Sequence, residues 1–219
     1  VHIHSGFVPW ISDGGPFAWF GTPDPKTGIA PTGPSKFDVP GMPKPPQGAM
    51  TFYYPNDQGA RLLWYHDHAY GLTRINAYVG LAAGYLLTDQ FEANLMHLGS
   101  IPSMDYLVPL VLQDKSFVPV GGSTDPGGRG EPGDLWYPSE YDPARWEADP
   151  GKTPPVPSCV PEFFGDTTVI NGVCYPFLHV EQRRYRFMFL NGSQARMFNL
   201  QLYYADASGT EIPLTLDAT

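Results

Sequence analysis

The chain has 219 residues and a mass of 24.2 kDa, enough for one ordinary domain or for parts of two small ones. Its 25 Pro and 24 Gly residues and its aromatic content of 14% favour short strands and loops over long helices. The net charge is −9 and no run of Lys or Arg occurs, so we expect no nucleic-acid partner. Because the apolar stretch 78–87 is far shorter than a membrane-spanning helix, we expect no membrane segment either.

The N-terminal part of the chain begins with a strand and continues into a long loop. The sequence Val1–His4 predicts the end of a strand, and Gly and Pro interrupt residues 5–48 repeatedly. Loops of this length within compact domains are uncommon and tend to be functional, so this loop is a candidate wall of a site. After it, Thr51–Tyr54 and Arg61–His66 predict two strands joined by a turn.

Less regular patterns follow the second of these strands. Residues 69–76 predict a short helical turn, whereas 79–87 fit either a strand of small residues or a buried helix. The pattern weakens over 91–103, and Leu107–Leu112 again predicts a buried strand. Residues 120–157 are rich in Pro, Gly and Asp, as expected for an interdomain connector or an elaborated surface loop.

A second β unit is predicted in the last third of the chain. Residues 167–170, the turn Asn171-Gly172 and residues 173–180 have the pattern of a β-hairpin, which 184–190 and 197–204 would extend into a meander. We therefore expect three regions: part of a first domain over 1–95, a connector over 96–160, and part of a second domain over 161–219.

Four of the six histidines form two copies of one pattern, His2-Ile3-His4 and His66-Asp67-His68. Chance would give roughly 0.2 such pairs in a chain with this many histidines. On a strand, residues i and i+2 face the same side with Cα atoms about 6.5 Å apart, so each pair offers two imidazoles to one surface. The alternative for these four residues is ordinary packing on a β face.

A nitrogen-rich ligand set without a nearby Cys points to copper or zinc. Two separate imidazole pairs without partners would be costly to bury, which favours a metal site over simple packing. His97 and His179 stand alone in the sequence, and for them ordinary structural positions are expected.

Three motifs closely resemble the first copper motifs of multicopper oxidases of the bacterial spore-coat laccase, bilirubin oxidase and phenoxazinone synthase type. They are Val1-His2-Ile3-His4-Ser5-Gly6, Tyr54-Pro55-Asn56-Asp57-Gln58 and Leu63-Trp64-Tyr65-His66-Asp67-His68-Ala69. The similarity continues over 72–81 and resumes at 108–117 and 165–202. The resemblance implies an all-β fold of cupredoxin-like Greek-key sandwich or barrel units, incomplete at both ends, with long Pro/Gly-rich loops.

The resemblance also implies a role for each histidine in a three-copper cluster. By this match His2 is the ligand of the type 2 copper, His4 is a type 3 ligand, and His66 and His68 each hold a different type 3 copper. In the family an acidic residue after the first motif assists proton delivery, and Asp13 occupies the matching place. The alternative for Asp13 is a surface residue at a turn.

By the same resemblance the protein is an oxidoreductase that oxidises phenols, aromatic amines or pigments and reduces dioxygen to water. An extracellular, periplasmic or spore-coat location would fit the family, although the sequence itself does not indicate one. Two rivals remain open. They are a non-catalytic copper-binding protein with a cupredoxin-like framework and a zinc-dependent hydrolase.

The sequence departs from the family pattern in two respects. Ser5 stands where the family usually has Gly after the first His-x-His, which bears on the freedom of the backbone there. The family's His-Pro-x-His-x-His and His-Cys-His motifs, which belong to a third, C-terminal cupredoxin domain, do not occur in this sequence. We therefore expect this chain alone to lack the type 1 copper site and to be inactive.

The two cysteines cannot replace the missing type 1 ligand, because no His flanks either of them. Cys159 and Cys174 could form a disulfide or remain thiols, and their spacing matches no zinc or thioredoxin pattern.

Overall fold

The computed structural model describes residues 1–121, 130–136 and 164–214. Within these ranges the chain is mainly β, with two short α-helices and two 3₁₀ turns. Neither described helix has the length and apolar character needed to cross a membrane. The helices are α1 (Thr73–Val79) and α2 (Gln90–His97). The strands are β1 (His2–His4), β2 (Arg61–His66), β3 (Ala82–Leu87), β4 (Leu107–Phe117), β5 (Leu135–Trp136), β6 (Thr167–Ile170), β7 (Val173–Cys174), β8 (Arg186–Asn191), β9 (Tyr203–Ala205) and β10 (Glu211–Pro213).

The first sheet is antiparallel and has the order β1-β2-β3. One of its faces carries the buried cluster Ile3, Leu63 and Leu87, against which Tyr54 and Tyr85 pack. Because side chains alternate along a strand, the residues between these apolar positions point to the opposite face. The apolar face thus anchors β1 and β2 and leaves their other face for a site.

The second sheet is built around β4, the longest strand. It pairs antiparallel with β5 and β6 and parallel with β8, and β6 pairs in turn with β7. Asn171 and Gly172 have φ angles of 49° and 83°, the positive values that a two-residue type I′ hairpin requires. The predicted hairpin is confirmed, although its second strand ends at Cys174.

The prediction of a strand at Thr51–Tyr54 is wrong. Both edges of β2 are already occupied, by β1 and by β3, so no edge remains for a further partner. Residues 51–54 instead lie beside the long loop, where the backbone N–H of Tyr53 donates to Ser12 Oγ at 2.8 Å. A short aromatic run has strand propensity, but an available edge decides whether it pairs.

The predicted meander is also wrong, because β8 does not continue the β6–β7 hairpin. It pairs in parallel with β4, and β9 is a short strand that pairs only with β10 among the described residues. The segment 79–87, left open between strand and helix, contains the strand β3. The predicted helical turn lies a few residues later, as α1, which is capped at its C-terminus by Gly80 with φ 114°.

Helix α2 was not predicted, since its window shows little apolar periodicity. Its signal is local: the Asp89 carboxylate caps the helix by accepting the backbone N–H of Glu92 at 2.7 Å. The three-region division remains a prediction, but β4, inside the predicted connector, is the centre of the second sheet. Cys159 lies outside the described residues, and Cys174 is an exposed free thiol.

Candidate metal centre

The register of the first sheet places the two His-x-His motifs beside each other. His2 lies directly opposite His66 on the neighbouring strand, and His4 lies opposite Trp64. The side chains of these two pairs occupy the face opposite Ile3 and Leu63, because they alternate with those residues along β1 and β2. His68 follows just after the end of β2. Two backbone segments more than 60 residues apart thus present their imidazoles to one place.

The distances between the four rings are those of one cluster. From His2, the ring centroids of His4, His66 and His68 lie 5.8, 5.4 and 5.0 Å away. The His66 ring lies 5.9 Å from that of His4 and 5.8 Å from that of His68. One ligand nitrogen from each of His2, His4 and His66 can be chosen so that all three lie within 4.8 Å of one another. A metal ion can therefore be reached by imidazoles of both motifs.

Hydrogen bonds to main-chain carbonyl groups orient two of the rings. His2 Nδ1 lies 2.8 Å from the carbonyl oxygen of Asp13, and His66 Nδ1 lies 2.5 Å from that of Asp67. A carbonyl oxygen only accepts, so Nδ1 carries the proton in both rings and Nε2 keeps its lone pair. Metal-binding histidines are held in this way by a partner on the second nitrogen.

Two nitrogen atoms of the cluster are buried without a partner among the described residues, His66 Nε2 and His68 Nδ1. Buried polar atoms are normally satisfied, and leaving one unpaired costs about 1–3 kcal/mol. A metal ion supplies the missing partner for an imidazole lone pair. The donor set therefore fits copper, for which neutral imidazole is a suitable ligand.

The surroundings of His66 and His4 favour the neutral form of these two rings. Removal from water lowers the pKa of His66 below its usual value, despite the opposing carbonyl of Asp67, and the nearby His2 and His68 lower it further. Partial burial likewise lowers the pKa of His4, with His2 and His66 adding to the effect. A neutral ring offers the lone pair that a metal needs, so the cluster is prepared for a cation over a wider pH range.

Comparison with known proteins shows the family to which the chain belongs. The chain is 39% identical over 207 residues to a laccase of Bacillus stratosphericus and 37% identical over 202 residues to a laccase of Bacillus subtilis, each match covering 92% of the chain. It is 32% identical over 176 residues to a bilirubin oxidase of Albifimbria verrucaria, which covers 80% of the chain. This chain belongs to the multicopper oxidase family. No protein-family model matches it.

Solved structures of multicopper oxidases share the fold. The chain aligns with McoA from the hyperthermophile Aquifex aeolicus with a TM-score of 0.51 and 25% identity, over 88% of the chain and 30% of McoA. The 2F4 variant of McoA gives 0.53 and 26%, over 89% and 31%. The described strands therefore form cupredoxin-like units, as predicted. The chain spans about a third of the two Bacillus laccases, 32% of each, and about a quarter of the bilirubin oxidase.

The long loop of this multicopper oxidase chain forms a wall beside the histidines, as predicted. A cavity of about 480 Å³ lies between loop residues 14–20 and residues 67–70, which include His68. Gly14 packs against the start of β1 with φ 72°, and a Cβ there would lie 1.7 Å from the carbonyl oxygen of Val1. Only glycine fits so close to another backbone.

Asp13 lies next to His2 within this wall. Its carbonyl oxygen accepts from His2 Nδ1, and its carboxylate Oδ1 lies 3.3 Å from the same nitrogen. Half of the Asp13 side chain is exposed to solvent. The carboxylate thus lies between water and a histidine of the cluster.

The two remaining histidines, His97 and His179, are exposed and distant in the sequence from both motifs.

Ser5 adopts a backbone conformation that favours glycine, with φ 64°. A non-glycine residue in this region costs roughly 1–2 kcal/mol, and the greater freedom of glycine in the unfolded chain offsets about 0.4–1 kcal/mol of this. We expect Ser5→Gly to raise the free energy of unfolding by about 0.5–1 kcal/mol, measured by denaturant titration. Ser103→Gly is the control, because Ser103 has φ −63° and should gain nothing. A Ser5→Gly variant with a lower free energy of unfolding than the wild type would show that Ser5 is not strained.

Two further residues at the site were not identified from the sequence. Trp64 stacks on His66, and Asn76 on α1 donates from Nδ2 to the Asp67 carboxylate at 2.7 Å, tying the second motif to the helix. The period of two along β2 could have placed Trp64 on the same face as His66. Nothing in the sequence pattern pairs Asn76 with Asp67.

Proposed function

We propose that this chain supplies four imidazoles, from His2, His4, His66 and His68, to the oxygen-reducing copper cluster of a laccase-type oxidase. The observation that carries the proposal is their convergence on one face of the first sheet with two ring nitrogens left unpartnered. His2 is assigned to the type 2 copper and His4 to the type 3 pair. His66 and His68 each take one type 3 copper.

The reaction proposed for the whole protein is the one-electron oxidation of phenols, aromatic amines or related pigments, coupled to four-electron reduction of dioxygen to water. Bound copper ions would supply the redox chemistry and the binding of dioxygen. The histidines would hold the metals, and the long loop lines a cavity beside His68. Further ligands and the type 1 site belong to sequence outside this chain, which alone is expected to be inactive.

For Asp13 we propose proton delivery to the oxygen-reduction step. Asp13→Ala in the natural full-length protein should lower oxygen uptake about 100-fold, the lower end of the range for a positioned acid or base. Its copper content should stay unchanged, because the 2.8 Å hydrogen bond of His2 goes to the main-chain carbonyl, which the substitution keeps. Oxygen-electrode and metal measurements check both expectations.

The matched control for this prediction is Asp38→Ala. Asp38 is an exposed acid in the same loop, paired with Lys36 at 3.0 Å and remote in sequence from the histidines. The Asp38→Ala variant should take up oxygen at the wild-type rate. Loss of copper in Asp13→Ala would instead assign Asp13 a structural role at His2, and normal uptake would remove it from the mechanism.

The test of the function is oxygen uptake by the purified full-length protein with a phenolic substrate, together with its copper content and the yield of peroxide. We expect bound copper, consumption of one dioxygen per four substrate electrons, and no peroxide. Copper without oxygen uptake would favour a non-catalytic copper-binding protein. Zinc in place of copper, without copper absorption bands, would favour a hydrolase.

A further inference from the structure

Apart from the histidines, Trp64 is the one described side chain whose ring packs against a ring from each His-x-His motif. Its indole lies 4.3 Å from the His66 ring, at an interplanar angle of 28°, and 5.1 Å from the His4 ring, at 31°. Both contacts follow from the strands: Trp64 precedes His66 by two residues on β2 and lies directly opposite His4 on β1. No other position on β2 has both relations.

His4 depends on this contact more than the other histidines do. Hydrogen bonds to carbonyl oxygens orient His2 and His66, but within the described part of the chain neither ring nitrogen of His4 has such a bond. His4 is an exposed residue, and its ring lies beside those of Trp64, His2 and His66. Packing against the indole therefore limits rotation of the His4 imidazole.

The residues opposite Trp64 on β3 are small. Gly84, its partner on β3, has no side chain, and the next residue on that face, Ala82, has only a methyl group. On another side the indole borders a cavity of about 700 Å³, which Arg74, Gln113 and Ser193 also line. The indole thus lies between the imidazoles and this cavity.

We propose that Trp64 is a positioning residue that holds the His4 and His66 rings in the orientation in which they bind copper. The proposal rests on the proposed copper function. This role requires a planar ring at position 64 but does not depend on the electronic properties of the indole. Phenylalanine should therefore replace it, whereas an aliphatic side chain should not.

The test compares copper retention in Trp64→Leu, Trp64→Met and Trp64→Phe variants of the natural full-length protein. The His66→Ala variant lacks one proposed ligand of the cluster and serves as the reference. The copper assigned to the cluster is the copper content of each variant minus that of His66→Ala. The chelator concentration that removes half of this copper should fall about tenfold for Leu and Met, in the range seen when residues supporting a metal ligand are removed. It should change less than about threefold for Phe. Trp10→Leu, at a tryptophan that is 73% exposed, should behave as the wild type.

Each outcome separates this proposal from the function on which it rests. If the wild type and His66→Ala retain the same copper, the copper function itself fails. If the wild type binds copper and a folded Leu or Met variant retains it equally well, the positioning role of Trp64 is overturned. If neither aliphatic variant folds, the test is the NMR spectrum of the metal-free wild type. The ring protons of His4 and His66 should show ring-current shifts from the indole, and unshifted resonances would overturn the positioning role.

Discussion

Replacing His66 by alanine is expected to abolish oxygen uptake in the full-length protein, with a loss of more than about 100-fold. Partners that merely support a metal ligand are worth about 10–100-fold, and His66 is placed as a ligand itself. It is also the most buried histidine of the cluster, at 4% exposure, and its Nε2 has no partner among the described residues. The copper content should fall together with the activity.

The control is His97→Ala. His97 is exposed at the end of α2 and takes no part in the cluster, so its loss should leave both copper and oxygen uptake unchanged. A folded His66→Ala variant with wild-type turnover would remove His66 from the mechanism. Reduced turnover with full copper content would mean that His66 acts on the reaction without holding a metal.

Asp114→Ala is expected to lower the free energy of unfolding by about 3 kcal/mol, the cost of breaking a buried charged network. The Asp114 side chain is only 2% exposed and joins three segments. Its carboxylate accepts the backbone N–H of Gly165 at 2.7 Å, that of Gln194 at 2.9 Å, and Arg196 Nε at 3.2 Å. Alanine would leave the two main-chain donors and the guanidinium without this partner.

Asp114→Asn should cost less than alanine, because the amide oxygen can still accept one of these hydrogen bonds. Asp105→Ala is the control: Asp105 is exposed, and its loss should change stability by less than about 0.5 kcal/mol. Denaturant unfolding monitored by circular dichroism measures all three. An Asp114→Ala variant as stable as Asp105→Ala would show that the second sheet does not depend on this network.

The sequence predicts the convergence of the four histidines better than it predicts the other strand pairings, whereas the metal itself stays a prediction. A His-x-His pattern on a strand must present both rings to one face, so the composition of the cluster follows from local geometry. That His2 would lie opposite His66 depends on register, which the alternation of Ile3 and Leu63 with the histidines permits but does not specify. The resemblance to multicopper oxidases supplied the convergence that the pattern alone left open.

The errors concern contacts between segments that are distant in the sequence. Residues 51–54 have strand propensity, but β1 and β3 already occupy both edges of β2. Strand β8 pairs with β4 and does not extend the nearby β6–β7 hairpin. Such choices depend on which edges are available in the folded sheet, a property that no local pattern records. The stacking of Trp64 on both motifs is likewise visible only once the strands are paired.

A crystal structure of the copper-loaded full-length protein, with anomalous diffraction recorded at the copper edge, tests the shared metal site most directly. We expect copper peaks among the four rings, each within bonding distance of imidazole nitrogens and at least one between the two motifs. Peaks bound to only one motif, or no copper between β1 and the end of β2, would contradict it.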